Sequence, residues 1–96
     1  MSRSWTAMRN KVNLEMCCRN CGGPNPEAAH IIPRSRIKPG PGEDERNCLP
    51  LCRTCHNLFD TGSLDVLGIL TRSEQAFATE LVGLAEAYQR ITNERL

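Results

Sequence analysis

Two pairs of cysteines, Cys18-Arg-Asn-Cys21 and Cys52-Arg-Thr-Cys55, offer the most specific chemistry in this chain. A two-residue gap lets both thiolates of a pair reach one tetrahedral ion. Four thiolates complete a zinc shell, so a site made of Cys18, Cys21, Cys52 and Cys55 is structural rather than catalytic. Six cysteines in 96 residues also suit a domain small enough to need a metal staple. No charged start followed by a long apolar run is present, which argues against a signal peptide or a membrane span. The thiols are then expected to be reduced and metal-bound in a cytoplasmic setting. A thioredoxin-like redox use of one pair is the alternative, but the surrounding strand-helix-strand pattern is missing. Of the two cysteines left over, Cys17 offers a CxxxC pairing in place of Cys18, and Cys48 reads as a small buried residue beside a strand.

The chain holds two histidines. His30 lies in AAHIIPRSR, inside the loop that the cysteine pairs close. On its apolar stretch alone, His30 reads more as a satisfied core residue than as a functional one. Its surroundings add to that: Arg34 and Arg36 follow, and a guanidinium fork suits phosphate oxygens. His56 comes directly after the second pair, in CRTCHNLFD. Asp60 stands one helical turn further on, on the same face. Asn47 lies between the two histidines and reads equally as a turn-capping residue.

The elements that must position these residues are short. Trp5, Met8, Val12 and Met16 recur at helical spacing over 4–16, with Ser4 as an N-cap. CCRNCGGPNP is a knuckle whose Gly and Pro force turns. AAHII and NCLPLC read as two short strands, the first limited to an edge or an end by Pro33. KPGPGEDER is a loop. CRTCHNLFD starts a helix out of the second knuckle, so a strand hairpin and a helix bring His30 and His56 face to face. GSLDVLGILT is short strand or turn material. Thr71 and Glu74 match a capping box. Phe77, Leu81, Leu84, Tyr88 and Ile91 then form one apolar face of a long amphipathic helix over 71–93, a face suited to the core or to a dimer contact.

Net charge is +1, which by itself does not announce a partner. Residues 1–38 nevertheless carry seven basic side chains against two acidic ones, and the remainder is acidic on balance. A basic first half that also holds the candidate chemistry can face phosphate, although a solvated surface of mixed charge explains the pattern equally well.

The order CxxC, AAHIIPRSR, Asn47, then LCxxCHxLFD with a following glycine resembles the HNH endonucleases. More narrowly, it is similar to the zinc-knuckled subset with A-H-I-I-P and H-x-L-F-D-x-G signatures. The likeness runs from about Trp5 to Gly62, and the nine-residue step from Asn47 to His56 fits it. The resemblance implies a small α+β fold of the ββα-metal (HNH, His-Me finger) type, two strands and a helix with a divalent ion between them. The four-cysteine zinc site would staple this core, with an N-terminal helix before it and the long C-terminal helix after it. The chain would be a single domain, 1–96, with the lead helix at 4–16, the zinc-knuckled core at 17–62 and the last helix at 71–93.

The resemblance also implies roles. His30 matches the general base that draws a proton from the attacking water. Asn47 matches the residue that holds the loop and the base in orientation. His56 matches the ligand of a catalytic ion, Mg2+, Mn2+ or another divalent, that binds the scissile phosphate. Asp60 matches a further ligand in some members, or else caps its helix end. Ala29 is a departure, because many relatives carry an ion-binding Asp or His immediately before the base. Arg34, Arg36 and Lys38 are expected at the DNA backbone rather than at base edges.

The implied activity is metal-dependent hydrolysis of DNA phosphodiester bonds, by nicking or double-strand cleavage. The competing function is a non-catalytic zinc module that binds DNA or protein. It would keep the cysteines, the arginines and the apolar helix, but it needs neither His30, Asn47 nor His56. Further expectations are a homodimer through the C-terminal helix or a larger phage or restriction partner, and no membrane.

Overall fold

A computed structural model describes residues 3–37 and 44–93. Lys38 lies outside the described residues, as does the side chain of Trp5. Helix α1 spans Arg3–Glu15 and strand β1 Glu27–His30. Strand β2 (Cys48–Leu51) leads into helix α2 (Arg53–Asp60). Helices α3 (Arg72–Val82) and α4 (Leu84–Thr92) follow. Single 3-10 turns at Arg34–Arg36, Glu45–Asn47 and Leu67–Ile69 punctuate the connections. Strand, strand and helix thus follow in the expected ββα order. Ser4 lies inside α1 rather than capping it, and Gly62–Thr71 holds turns and the Leu67–Ile69 3-10 turn but no strand.

The two strands pair antiparallel, with Glu27 opposite Leu51, Ala28 opposite Pro50, Ala29 opposite Leu49 and His30 opposite Cys48. Because side chains alternate along a strand, the two faces of this ribbon bury against different partners. Ala28 packs with Met8 and Val12 of α1 and with Cys48. Ala29 enters the main core with Leu49, Phe59, Val66, Ala87 and Ile91, which joins the ribbon to α2 and α4. Phe59 is fully buried, and an aromatic ring removed from water contributes about 1.5–3 kcal/mol. Met8 and Val12 are buried as their spacing requires, whereas Met16 is exposed in a left-handed conformation just past the end of α1.

The single long C-terminal helix expected over 71–93 is two helices. Gly83 takes φ +87, a region open to glycine but strained for other residues, and it ends α3 while starting α4. The capping box at the start of α3 is present in both directions between Thr71 and Glu74. The break also rotates the apolar face. Phe77 and Ile91 reach the core, but Leu84 and Tyr88 remain exposed, and Ala78 and Ala87 are buried in their stead.

Glu74 does more than cap. It is a buried carboxylate that accepts from Lys11 Nζ of α1 (2.5 Å), from Arg19 Nη1 in the first knuckle (2.5 Å) and from Thr71 N (2.8 Å). Arg19 also pairs with Glu15. Burial pushes the Glu74 carboxyl up, but the Arg19, Lys11 and Thr71 donors outweigh it and hold the group below its ordinary value. Among the described residues no helix is long and apolar enough to cross a membrane.

Candidate functional site

The two knuckles meet. One sulfur from each of Cys18, Cys21, Cys52 and Cys55 lies within 4.8 Å of the others. Cys21 Sγ and Cys52 Sγ are 3.7 Å apart, close to the edge of about 3.8 Å that a tetrahedron with Zn–S of about 2.3 Å requires. Gly22 (φ +76) lets the first knuckle turn back, so that Gly22 N donates to Cys18 O. The knuckle then aims donors at sulfur: Cys21 N to Cys18 Sγ, Gly23 N to Cys21 Sγ and Asn20 Nδ2 to Cys55 Sγ, each at 3.4 Å. Burial raises the Cys18 thiol, but the amides of Cys21, Cys52 and Asn20 prevail and lower it to about 6. At Cys55 the Asn20 amide favours the thiolate, yet burial and the three neighbouring thiols push the group up to about 12. Four sulfurs crowded in this way need a cation to be thiolates together, and the set fits zinc. Cys17 is exposed and outside the cluster, so the two-residue gap prevails over the CxxxC pairing. Cys48 is buried beside Met8, and burial pushes its thiol up to about 11.

A cleft of about 250 Å3 opens where the end of β1 meets the outer face of α2, lined by Ala28, His30, Pro33, Arg34, His56, Asp60 and Arg90. His30 and His56 therefore share one cavity, although 26 positions separate them in the chain. The His30 ring is half-buried, and its Nε2 is shielded from solvent. His56 sits between two carboxylates: Glu27 Oε1 lies 2.9 Å from its Nδ1, and Asp60 Oδ2 lies 3.2 Å from its Nε2. Arg53 Nη2 approaches the other Glu27 oxygen at 3.2 Å, and Arg90 Nη2 approaches Asp60 Oδ1 at 3.0 Å. The separation of 3.2 Å between His56 Nε2 and Asp60 Oδ2 fits two adjacent ligands of an octahedral ion, which lie about 3 Å apart for bonds of about 2.0–2.1 Å. The donor set, an imidazole and a carboxylate oxygen, suits Mg2+ or Mn2+.

Asn47 lies behind the strand rather than in the cleft. It is 1% exposed. Its Oδ1 accepts from Ile32 N (2.8 Å) and its Nδ2 donates to Ile32 O (3.0 Å), while its carbonyl accepts from Ile31 N (3.0 Å). These bonds hold the two residues that follow His30. Arg34 borders the cleft, whereas Arg36 points to α4 and pairs with Glu86 at 2.7 Å on the surface.

Two side chains of this site were not singled out from the sequence. Glu27 was available by alternation: it shares a strand face with Ala29, and it sets a carboxylate beside His56 where Ala29, fully buried in the core, sets none. Arg90 carried no local signal. It arrives from α4, 34 residues beyond His56.

A family model described as HNH endonuclease matches residues 17–66, just over half of the chain and the segment that holds both knuckles, both strands and α2. No curated protein and no solved structure matches the chain. With the ββα order, the four-cysteine centre and the two histidines in one cleft, the chain belongs to the HNH endonuclease family.

Proposed function

We propose that this protein is a divalent-metal-dependent DNA endonuclease, with His30 as general base and His56 and Asp60 as ligands of the catalytic ion. The observation that carries the reading is the shared cleft. A strand-borne imidazole and a helix-borne imidazole–carboxylate pair line one cavity, with an arginine, Arg34, at its rim to meet phosphate. When bound, the ion supplies charge stabilisation at the scissile phosphate.

The chain's own residues do the rest. The His30 ring, which lines the cleft, takes a proton from a water there; a neutral imidazole suits that transfer near neutral pH. Asn47 fixes the backbone after His30 through Ile31 and Ile32, and so restrains where the ring points. A carboxylate only accepts, so Glu27 draws the His56 proton to Nδ1 and leaves the Nε2 lone pair for the ion that His56 would share with Asp60. Glu27 thereby positions the ligand histidine without itself being needed as a ligand. DNA-backbone contacts by Lys38, and by Arg36 once it leaves Glu86, belong to the same proposal. A homodimer through α4, where Leu84 and Tyr88 are exposed, belongs to it as well, and its mass in sedimentation decides that part.

Supercoiled plasmid incubated with the zinc-loaded protein and Mg2+ or Mn2+ tests the reading. Nicked or linear product from wild type, with none from His30→Ala, is the expected result. Equal behaviour of the two proteins sinks it and leaves the non-catalytic zinc-module function.

A further inference from the structure

The guanidinium of Arg90 is one of the most heavily engaged cations among the described residues, and it lies beyond the segment that the family model covers. From α4 its Nε donates to Ile31 O at 2.9 Å, and its Nη2 to His30 O at 3.3 Å. On the other side its Nη1 donates to Phe59 O at 3.3 Å, and Nη2 reaches Asp60 Oδ1 at 3.0 Å. Its plane rests 3.8 Å from the centroid of the Phe59 ring. One fork therefore grips the last turn of α2 with one side and the end of β1 with the other. The residues it grips are those that carry the proposed base and the proposed ion ligands.

We infer that Arg90 is a positioning residue for the nuclease site: it sets the distance between His30 on β1 and the His56–Asp60 pair on α2. The inference rests on the nuclease reading. The ββα ribbon and helix are joined in sequence only through the knuckle at Cys52, at the far end of both β2 and α2 from the cleft. At the cleft end the buried Phe59 packs α2 against the ribbon, but packing alone fixes the polar groups of His30 and Asp60 only loosely, because the short strand ends at His30 and α2 ends at Asp60. Arg90 closes that open end. A planar fork of five donors can bond two carbonyls on one element and a carbonyl and carboxylate on another at once, whereas a lysine ammonium, with three donors at one point, cannot span them. Asp60 gains a second benefit: with Oδ1 held by Arg90, Oδ2 is left toward His56 Nε2.

The test uses the zinc-loaded full chain. Arg90→Lys keeps the charge and most of the stem but neither the fork nor the guanidinium over Phe59, and Arg90→Gln is the second variant. For Arg90→Lys we expect unchanged zinc content and helical signal, and a fall in kcat of about 100-fold, the size that a misplacement of about 1 Å brings. KM for DNA and its salt dependence should stay within about twofold, because no substrate contact is removed. The chain has two histidines, so their ring resonances are assigned with one His30→Ala sample, and both should move in Arg90→Lys. Wild-type kcat in both variants overturns the inference, as do unmoved ring resonances. A raised KM with a weaker salt dependence at unchanged kcat also overturns it, since that marks a phosphate contact. If neither variant folds, Arg90 is a strut of the core and the inference falls. A wild type that cuts no DNA instead sinks the nuclease reading, and the ring resonances then decide whether Arg90 sets the two histidines.

Discussion

Replacing Asn47 by alanine separates positioning from chemistry, and its cost can be worked from the geometry. The side chain makes two bonds to Ile32, at 2.8 and 3.0 Å, inside a site where Asn47 and Ile32 are both 1% exposed. Truncation leaves a buried N–H and a buried carbonyl without those partners. Each such group costs about 1–3 kcal/mol, so the pair costs about 2–6 kcal/mol. A domain of this size has roughly 5–14 kcal/mol in all, so Asn47→Ala is expected to fold but to be visibly weakened. The lower bound alone moves Tm down by about 8–16 °C. Chemical denaturation at fixed zinc, read by far-UV circular dichroism, measures the change directly. Cleavage assayed well below the lowered Tm should still be reduced, because Ile32 is no longer held by the side chain and only the Ile31 backbone bond remains. Asn47→Asp adds a sign test. The acid can accept from Ile32 N–H but, once ionised, cannot donate to Ile32 O, and burial favours its neutral form. Its deficit relative to wild type should therefore shrink as pH is lowered toward about 4, the ordinary range of an aspartic acid. An Asn47→Ala protein within about 0.5 kcal/mol of wild type would refute the reasoning about the buried bonds. Full activity in a destabilised Asn47→Ala protein would refute the positioning role.

Cys52→Ser should release the zinc, measured as metal per chain, and abolish the cooperative unfolding transition, because structural zinc sites supply folding free energy on the order of 10 kcal/mol; a stable, zinc-free, active protein would remove the knuckle assignment. His56→Ala should keep its helical signal and zinc while losing Mn2+-dependent cleavage, and a loss of helix instead would place His56 in the framework. Glu74→Gln should cost about 3 kcal/mol by denaturation at neutral pH, since it strips a buried carboxylate from two cations. The folded Glu74 carboxyl titrates below its ordinary value of 4.5. Its contribution is thus complete above that pH and is lost as pH falls through the folded value, so wild type and Glu74→Gln should converge in stability in acid.

What could be read along the chain depended on how local each signal was. The two CxxC spacings, the Thr71–Glu74 capping box and the apolar runs of both strands are statements about a few adjacent residues, and each recurs in the structure. Placing His30 and His56 together needed only the hairpin-then-helix order. The C-terminal region went differently. The single helix over 71–93 followed the apolar spacing straight through Gly83, a residue that costs about 1 kcal/mol inside a helix, while in the fold Gly83 lets α4 turn so that Ala87 and Ile91 face the core. Glu27 and Arg90 were not singled out, and Glu74 was read only as part of a helix cap. Their partners lie 29, 55 to 63, and 30 to 60 positions away, distances at which no spacing rule operates. Glu27 alone had a usable clue, its strand face.

The carboxylate of Glu74 has a consequence for how the molecule opens. It is gripped by Lys11 of α1 and Arg19 of the first knuckle while it caps α3. Detaching any one of the three breaks an ion pair buried with the other two, at a cost comparable to much of the global stability. Partial openings in which α3 peels away from an intact zinc-bearing half should therefore be rare. The amides of α1, of the knuckle around Arg19 and of α3 should exchange with solvent as one cooperative unit, through whole-domain opening rather than piecemeal fraying.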